Sequence, residues 1–225
     1  MTQNIYDDPG FFAGYSQLRR SVEGLDGAPE WPTLRAMLPD LAGKRVVDLG
    51  CGFGWFCRWA RDAGAATVLG LDVSDKMLAR ARQTTSDPAI SYRRADLETL
   101  ELPTAFDLAF SSLTLHYLVR LDALFATLHR ALLPGGRFVF SAEHPLYTEP
   151  GPDYLDEGPR TTDWLAPGVV KQHRTLATYL NLLIAAGFTV RRVEEWGPTR
   201  AEIIAHPEWK IDHRRPSFLL VSAER

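Results

Sequence analysis

The run Val46-Val47-Asp48-Leu49-Gly50-Cys51-Gly52-Phe53-Gly54 restricts the fold of this chain more than any other stretch. It reads as a short buried strand running straight into a turn with a glycine at every second position. A helix over 55–63 follows, with Gly64 placed as its C-terminal stop. Glycines so spaced let the backbone bend sharply and let a ligand come close to the main chain. Amides at such a turn and at the following helix N-terminus favour a negatively charged group. The stretch therefore points to a nucleotide-like cofactor.

The spacing narrows the choice. A dinucleotide fingerprint requires G-x-G-x-x-G directly after the strand. Counted from Gly50 and Gly52, its third glycine would fall on Trp55. The pattern present is D-x-G-x-G-x-G, and in this form it resembles the first motif of the class I S-adenosylmethionine-dependent methyltransferases. In layout the resemblance covers roughly positions 40 to 225. Within that family the chain is similar to the small-molecule group typified by the ubiquinone and menaquinone biosynthesis enzymes. The resemblance implies S-adenosylmethionine as cofactor, S-adenosylhomocysteine as product, and methyl transfer to a small molecule by in-line displacement.

Strand and helix patterns alternate along most of the sequence. Apolar strand candidates lie at 45–49, 67–72, 90–94, 106–111 and 137–142, with helix candidates at 55–63, 74–83 and 121–132. Ser74 is placed to cap the second helix, and Leu-Pro-Gly-Gly at 133–136 to end the third and turn into the next strand. A helix over 175–186 and strands over 188–195 and 217–223 complete the pattern. Alternation of this kind argues for an α/β fold, a parallel sheet with helices on both faces and ligands at the carboxyl ends of the strands. The resemblance sharpens this to a Rossmann-like three-layer sandwich, a seven-stranded mostly parallel sheet whose last strand is antiparallel. A chain of 225 residues fits one domain over 1–225. Residues 1–40, with Tyr6, Phe11, Phe12, Tyr15 and Trp31, read as an N-terminal helical cover, and 143–171 as a lid or acceptor-pocket insertion.

Composition excludes several classes. A net charge of −3 offers no general attraction to nucleic acid or to an anionic membrane. No apolar run approaches the ~18 residues needed to span a bilayer, and the N-terminus lacks the marks of a signal peptide. Cys51 and Cys57 form neither a disulfide framework nor a zinc pattern, so no metal is expected and the cytoplasm is the simplest location.

Asp72 closes the second strand, 22 residues after Gly50, where a carboxylate can accept hydrogen bonds from two adjacent ribose hydroxyls. The alternative is a helix N-terminal acid just ahead of Ser74. Asp96 ends the third strand. The resemblance gives it the adenine amino group and gives Leu97 a ring nitrogen, against the alternative of a solvated loop acid. Asp48 can rigidify the turn, and the resemblance also places it near the methionyl part of the cofactor. The resemblance further assigns Gly50, Cys51, Gly52, Gly54 and Val73 to the cofactor, Ser111 to the lining of its methionyl end, and Tyr15, with Tyr6 second, to the cover. Met77 can pack against adenine or in the core. Arg19 and Arg20 can reach a carboxylate or stay at the surface.

A general base is needed only if the acceptor must lose a proton, and histidine suits that task near neutral pH. His144 and His116 both follow strands at the carboxyl end of the sheet, and His144 is preferred to His116. His173 is a weaker candidate, and His129, His206 and His213 are not candidates. The fourth strand ends in Ser111-Ser112-Leu113-Thr114 and lacks the Asn/Asp-Pro-Pro-aromatic motif of enzymes that methylate adenine amines or glutamine amides. The expected partner is thus a small-molecule acceptor, with no nucleic acid and no membrane. Three alternatives stand beside this reading: an NAD(P)-dependent oxidoreductase, disfavoured by the glycine spacing and the absence of a Tyr-x-x-x-Lys pair; a non-catalytic S-adenosylmethionine-binding module; and a nucleic-acid methyltransferase.

Overall fold

The computed structural model describes residues 3–148, 153–207 and 214–225; His213 and residues 149–152 of the 143–171 segment lie outside them. The strands are β1 (Arg45–Leu49), β2 (Thr67–Asp72), β3 (Ile90–Arg94), β4 (Phe106–Ser112), β5 (Leu132–Glu143), β6 (Gly158–Thr162), β7 (Val169–His173), β8 (Thr189–Trp196) and β9 (Phe218–Glu224). The helices are α1 (Pro9–Ser16), α2 (Arg19–Val22), α3 (Trp31–Arg35), α4 (Trp55–Asp62), α5 (Asp75–Gln83), α6 (Leu121–Ala131), α7 (Pro145–Thr148), α8 (Leu176–Ala185) and α9 (Arg200–Ala205).

Seven strands form one sheet in the order β3-β2-β1-β4-β5-β9-β8. β1 pairs in parallel with β2 and β4, and β9 pairs antiparallel with β5 and β8, between which it is inserted. Successive residues of a strand point to opposite faces, and here both faces are apolar. Val47, Leu49, Phe138, Phe140 and Val221 pack on the α6 and α8 side. Val46, Leu108, Phe110, Val139 and Leu220 pack on the α3 and α4 side. This double burial accounts for the near-continuous apolar runs in the strands and gives the expected three-layer sandwich.

Local signals fix several boundaries. Ser74 caps α5 by accepting from Met77 N–H at 3.1 Å, and Thr175 caps α8 in the same manner. Gly64, at φ +95°, follows the C-cap of α4. Leu-Pro-Gly-Gly behaves differently from expectation. α6 ends at Ala131, Leu132 already pairs with Phe106, and the four residues form an irregularity inside β5 rather than a turn before it. The carbonyl of Arg225 accepts from Gly135 N–H at 3.1 Å and stabilises that irregularity.

Two additions cover the carboxyl end of the sheet. β6 and β7 pair as an antiparallel hairpin, and the Trp164 of their connection meets Phe11 and Tyr15 of α1 at ring distances of 5.6 and 6.4 Å. The N-terminal segment is tied to both neighbours. The Gln3 side chain bonds Gly168 O and Val170 N–H of the hairpin at 2.9 and 3.0 Å. Asp7 accepts from the Ser74 hydroxyl at 2.6 Å and from Lys76 N–H at 3.1 Å, at the start of α5. Among the described residues no helix is long and apolar enough to cross a membrane.

Candidate active site

The bend after β1 holds Gly50 and Gly52 at φ +74° and +51°, a region that costs other residues about 1–2 kcal/mol. A Cβ on Gly50 would lie 2.1 Å from Thr114 Oγ1, so the segment after β4 closes directly on this glycine. A Cβ on Gly52 would meet nothing within 4 Å, and here the backbone faces open space. The expected cradle of spare amides is not what forms. Gly50 and Cys51 N–H both donate to Leu71 O at 2.8 and 2.9 Å. Gly52 N–H donates to Asp72 Oδ2 at 2.9 Å, and Gly54 N–H donates to Cys51 O at 2.8 Å. The bend thus offers close backbone approach, held in shape by β2.

Asp72 is 8% exposed. Its Oδ1 accepts from Ser74 N–H at 2.9 Å, so each carboxylate oxygen takes one backbone donor and keeps lone pairs for others. Burial pushes its pKa up to about 6, against the opposing pull of backbone N–H groups of Ser74, Gly52 and Val73. Asp48 is 2% exposed and accepts the Cys57 thiol proton at 3.2 Å. Burial pushes its pKa up to about 7.

A cavity of about 490 Å³ opens beside these groups, within the range usual for small-molecule sites. Of the expected cofactor residues, Tyr15, Asp48, Gly50, Cys51, Gly52 and Asp72 line it, as do Val73, Met77 and Leu97. Gly54, Asp96 and Ser111 are not among the lining residues. Gly54 forms the N-cap of α4, and Asp96 caps the turn Leu97–Thr99 by accepting from Glu98 N–H at 3.1 Å. Ser111 is fully buried within the sheet and donates to Leu49 O at 2.9 Å; Ser112, at the end of β4, lines the cavity instead.

The cavity continues past β4 toward β5. His116 and Glu143 line it, with Tyr117, Tyr6 and Trp164. His116 is 1% exposed, and burial pushes its pKa down to about 4, so it is neutral at pH 7. Its Nδ1 accepts from Glu143 N–H at 3.3 Å. The ring proton therefore sits on Nε2, and His116 presents a donor rather than a free lone pair. Glu143 Oε1 holds Lys171 Nζ at 2.5 Å.

His144, the preferred base on sequence grounds, does not line the cavity. Its Nδ1 accepts from Leu146 N–H at 3.1 Å and its Nε2 meets Glu195 Oε1 at 2.8 Å, which joins β5 to β8. Burial lowers its pKa against the opposing pull of Glu195. His173 is similarly engaged, by Thr148 Oγ1 at 3.1 Å and Tyr154 O at 2.8 Å. Glu143 and Tyr117 were missed at the level of sequence. The signal for Glu143 was strand alternation: it pairs with Phe218 across β5 and β9, and both line the cavity.

These residues suit a sulfonium nucleoside. Asp72 offers oxygens to ribose hydroxyls, and Val73, Met77 and Leu97 offer apolar surface to a base. Tyr6, Tyr15 and Tyr117 present aromatic groups to a cation, with Tyr6 5.2 Å from Tyr15 and 6.0 Å from Tyr117 between ring centres. Asp48 suits an ammonium group. Arg20, held by the buried Glu30 at 3.1 and 3.2 Å, lines the cavity and suits a carboxylate.

Comparison with known proteins agrees. A family model described as a methyltransferase domain matches residues 47–140. A malonyl-[acyl-carrier protein] O-methyltransferase of Enterobacter lignolyticus is 40% identical over 109 residues; the match covers 48% of this chain and 42% of that protein, so the likeness spans under half of either. An S-adenosylmethionine-dependent methyltransferase structure from Listeria monocytogenes, described as such only provisionally, is 37% identical, with a TM-score of 0.78 over 87% of this chain and 97% of that one. The S-adenosylmethionine-dependent methyltransferase from Mesorhizobium loti is 59% identical, with a TM-score of 0.85 over 90% of this chain and 100% of that one. A likeness of that extent and identity, on a sheet and cavity built as described, shows that the chain belongs to the S-adenosylmethionine-dependent methyltransferases.

Proposed function

We propose that this enzyme methylates a small, largely apolar molecule held between the ends of β4 and β5 and the hairpin β6–β7. The observation that carries this reading is the continuity of one cavity. Asp72, Gly52 and Asp48 form one end of it, and His116, Tyr117 and Glu143 the other, under Tyr6, Tyr15 and Trp164. When bound, S-adenosylmethionine supplies an electrophilic methyl group. The protein's part is to orient the acceptor and exclude water, and positioning of that kind can supply about 7–11 kcal/mol of a barrier.

In this proposal Asp72 holds the ribose, Asp48 the ammonium group and Arg20 the carboxylate. Tyr15 and Tyr6 close the site from the N-terminal cover, which with the sheet and the hairpin forms a single working domain over 1–225. Asp96 and Gly54 shape the neighbouring loops. A small acceptor is favoured over nucleic acid because the chain has a net charge of −3 and the two arginines lining the cavity are already paired, Arg19 with Glu23 and Arg20 with Glu30. Cys51 and Cys57 are both free and buried, which fits a reducing compartment such as the cytoplasm.

The test is direct. S-adenosylhomocysteine should raise the melting temperature while NAD and NADP leave it unchanged, since a specific ligand stabilises by mass action. Label from methyl-tritiated S-adenosylmethionine should then pass to members of a small-molecule panel. A shift with NAD alone, or no shift with any of them, refutes the proposal.

A further inference from the structure

Among the described residues, three that line the cavity carry a buried polar side-chain atom without a hydrogen-bond partner: the hydroxyls of Ser21 and Ser217 and one oxygen of Glu143, the carboxylate of the three. Glu143 Oε2 is buried and has no hydrogen-bond partner. Its sister oxygen is committed to Lys171 at 2.5 Å, and His116 Nε2 stands 3.9 Å from that same oxygen. A buried carboxylate oxygen without a donor costs more than the net worth of an ordinary hydrogen bond. Because Glu143 lines the cavity, a ligand with an N–H or O–H group can supply the missing donor.

Its place in the fold separates it from the cofactor groups. β2, which ends in Asp72, lies three strand spacings from β5, which ends in Glu143, or about 14 Å at ~4.8 Å per spacing. Glu143 thus faces whatever lies beyond the methionyl end. Lys171 is not among the cavity-lining residues and is itself 4% exposed, so the cation stands behind the carboxylate and presents no open positive charge to the acceptor. Of the cavity-lining residues, His116, Tyr117 and Tyr147 stand near Glu143 and Phe218 pairs opposite it.

We propose that Glu143 is the specificity-determining residue of the acceptor site, and that the acceptor is an aromatic or aliphatic body carrying an N–H or O–H group that donates to Glu143 Oε2. This deepens the proposed function and rests on it. It also separates this chain from its malonyl-[acyl-carrier protein] O-methyltransferase relatives. A malonyl group ends in a carboxylate, which has no proton to offer at neutral pH, and Glu143 would repel it.

The experiment uses the full chain saturated with S-adenosylhomocysteine and measures calorimetric binding of three matched one-ring probes, benzylamine, phenol and benzoate. Wild type should bind benzylamine or phenol and reject benzoate. Glu143→Gln should weaken the protic probe about tenfold or more, as expected for a lost hydrogen bond to a charged group. Because Glu143→Gln leaves Lys171 buried without its partner, the double variant Glu143→Gln/Lys171→Met serves as the second test and should show the same loss. S-adenosylhomocysteine binding should persist in both variants. Its absence in wild type would refute the cofactor reading, a result distinct from failure of this inference. The inference is overturned by equal or tighter binding of benzoate, by failure of both protic probes to bind the loaded protein, or by an unchanged probe profile in the variants.

Discussion

The carboxylate of Asp48 should make this enzyme less stable as pH rises through the physiological range, and the substitution Asp48→Asn should remove that loss. In the native state burial raises its pKa from an ordinary 3.8 to about 7, opposed by the hydrogen bond from Cys57. The folded protein therefore prefers Asp48 protonated. The stability this provides is complete below the unfolded pKa near ~3.9 and is lost as pH rises toward the folded value. A difference of that size is about 4 kcal/mol at ~1.36 kcal/mol per tenfold change in acidity. About 2.5 kcal/mol of it develops between pH 5 and pH 8. Asparagine keeps the shape and an acceptor for the Cys57 thiol but carries no charge at any pH. Urea denaturation of both proteins at pH 5, 6, 7 and 8 measures the effect. The stability difference, variant minus wild type, should grow by about 2.5 kcal/mol across the series. A slope from Asp72, whose pKa is raised to about 6, remains in both proteins and cancels in the difference except for the mutual repulsion of the two carboxylates. Parallel curves would refute the reasoning, because they would mean that Asp48 is solvated or paired in the native state. A bound ammonium group should pull Asp48 back toward an ordinary acidity, so cofactor binding near pH 6.5 should release a proton. Calorimetry in buffers of different ionisation enthalpy would detect it.

Gly50→Ala should cost about 2–4 kcal/mol, from left-handed backbone and from collision with Thr114, and should abolish S-adenosylhomocysteine binding by calorimetry. Asp72→Asn replaces an acceptor of two backbone N–H groups by one with a single acceptor oxygen; the Kd for S-adenosylhomocysteine should rise about tenfold or more, with a correspondingly smaller thermal shift. His144→Phe should lower the melting temperature by roughly 3–6 °C through loss of the contacts with Leu146 and Glu195. Its turnover should stay within about twofold of wild type, and a loss of a hundredfold or more would return His144 to the reacting centre.

Most of the sheet was legible because its signals are local. β1, β2 and β3 have the bounds read from apolar runs and glycine punctuation, and the Ser74 cap follows from residue type and place. The hairpin β6–β7 was not legible. Gly158–Thr162 contains a proline and carries no apolar alternation, and its pairing with Val169–His173 depends on packing against a distant N-terminal segment. The site divides along the same line. Gly50, Gly52, Asp48 and Asp72 sit at strand ends, where the fold itself brings them together. Ser111 was one residue too far inside β4, where it pairs opposite Phe140 within the sheet.

The histidine at 144 shows how residue type can mislead when strand parity is ignored. Along β5, Phe138, Phe140 and Ala142 pack on one face and Val139 on the other. Along β4 and β9 the cavity borders the second face, since Phe110 and Phe218 belong both to that packing and to the cavity wall. A strand inverts its side chains at every step, so Glu143 shares the parity of Val139 and His144 does not. The imidazole that looked like a base holds β5 to β8 through Glu195. The carboxylate one residue earlier holds the position toward the acceptor. Parity plus a knowledge of which face the cofactor occupies is enough to choose between them, and the second of these is not written in any short stretch of sequence. It depends on long-range packing such as the tie of the N-terminal segment to the start of α5 through Asp7, a contact between residues 67 positions apart.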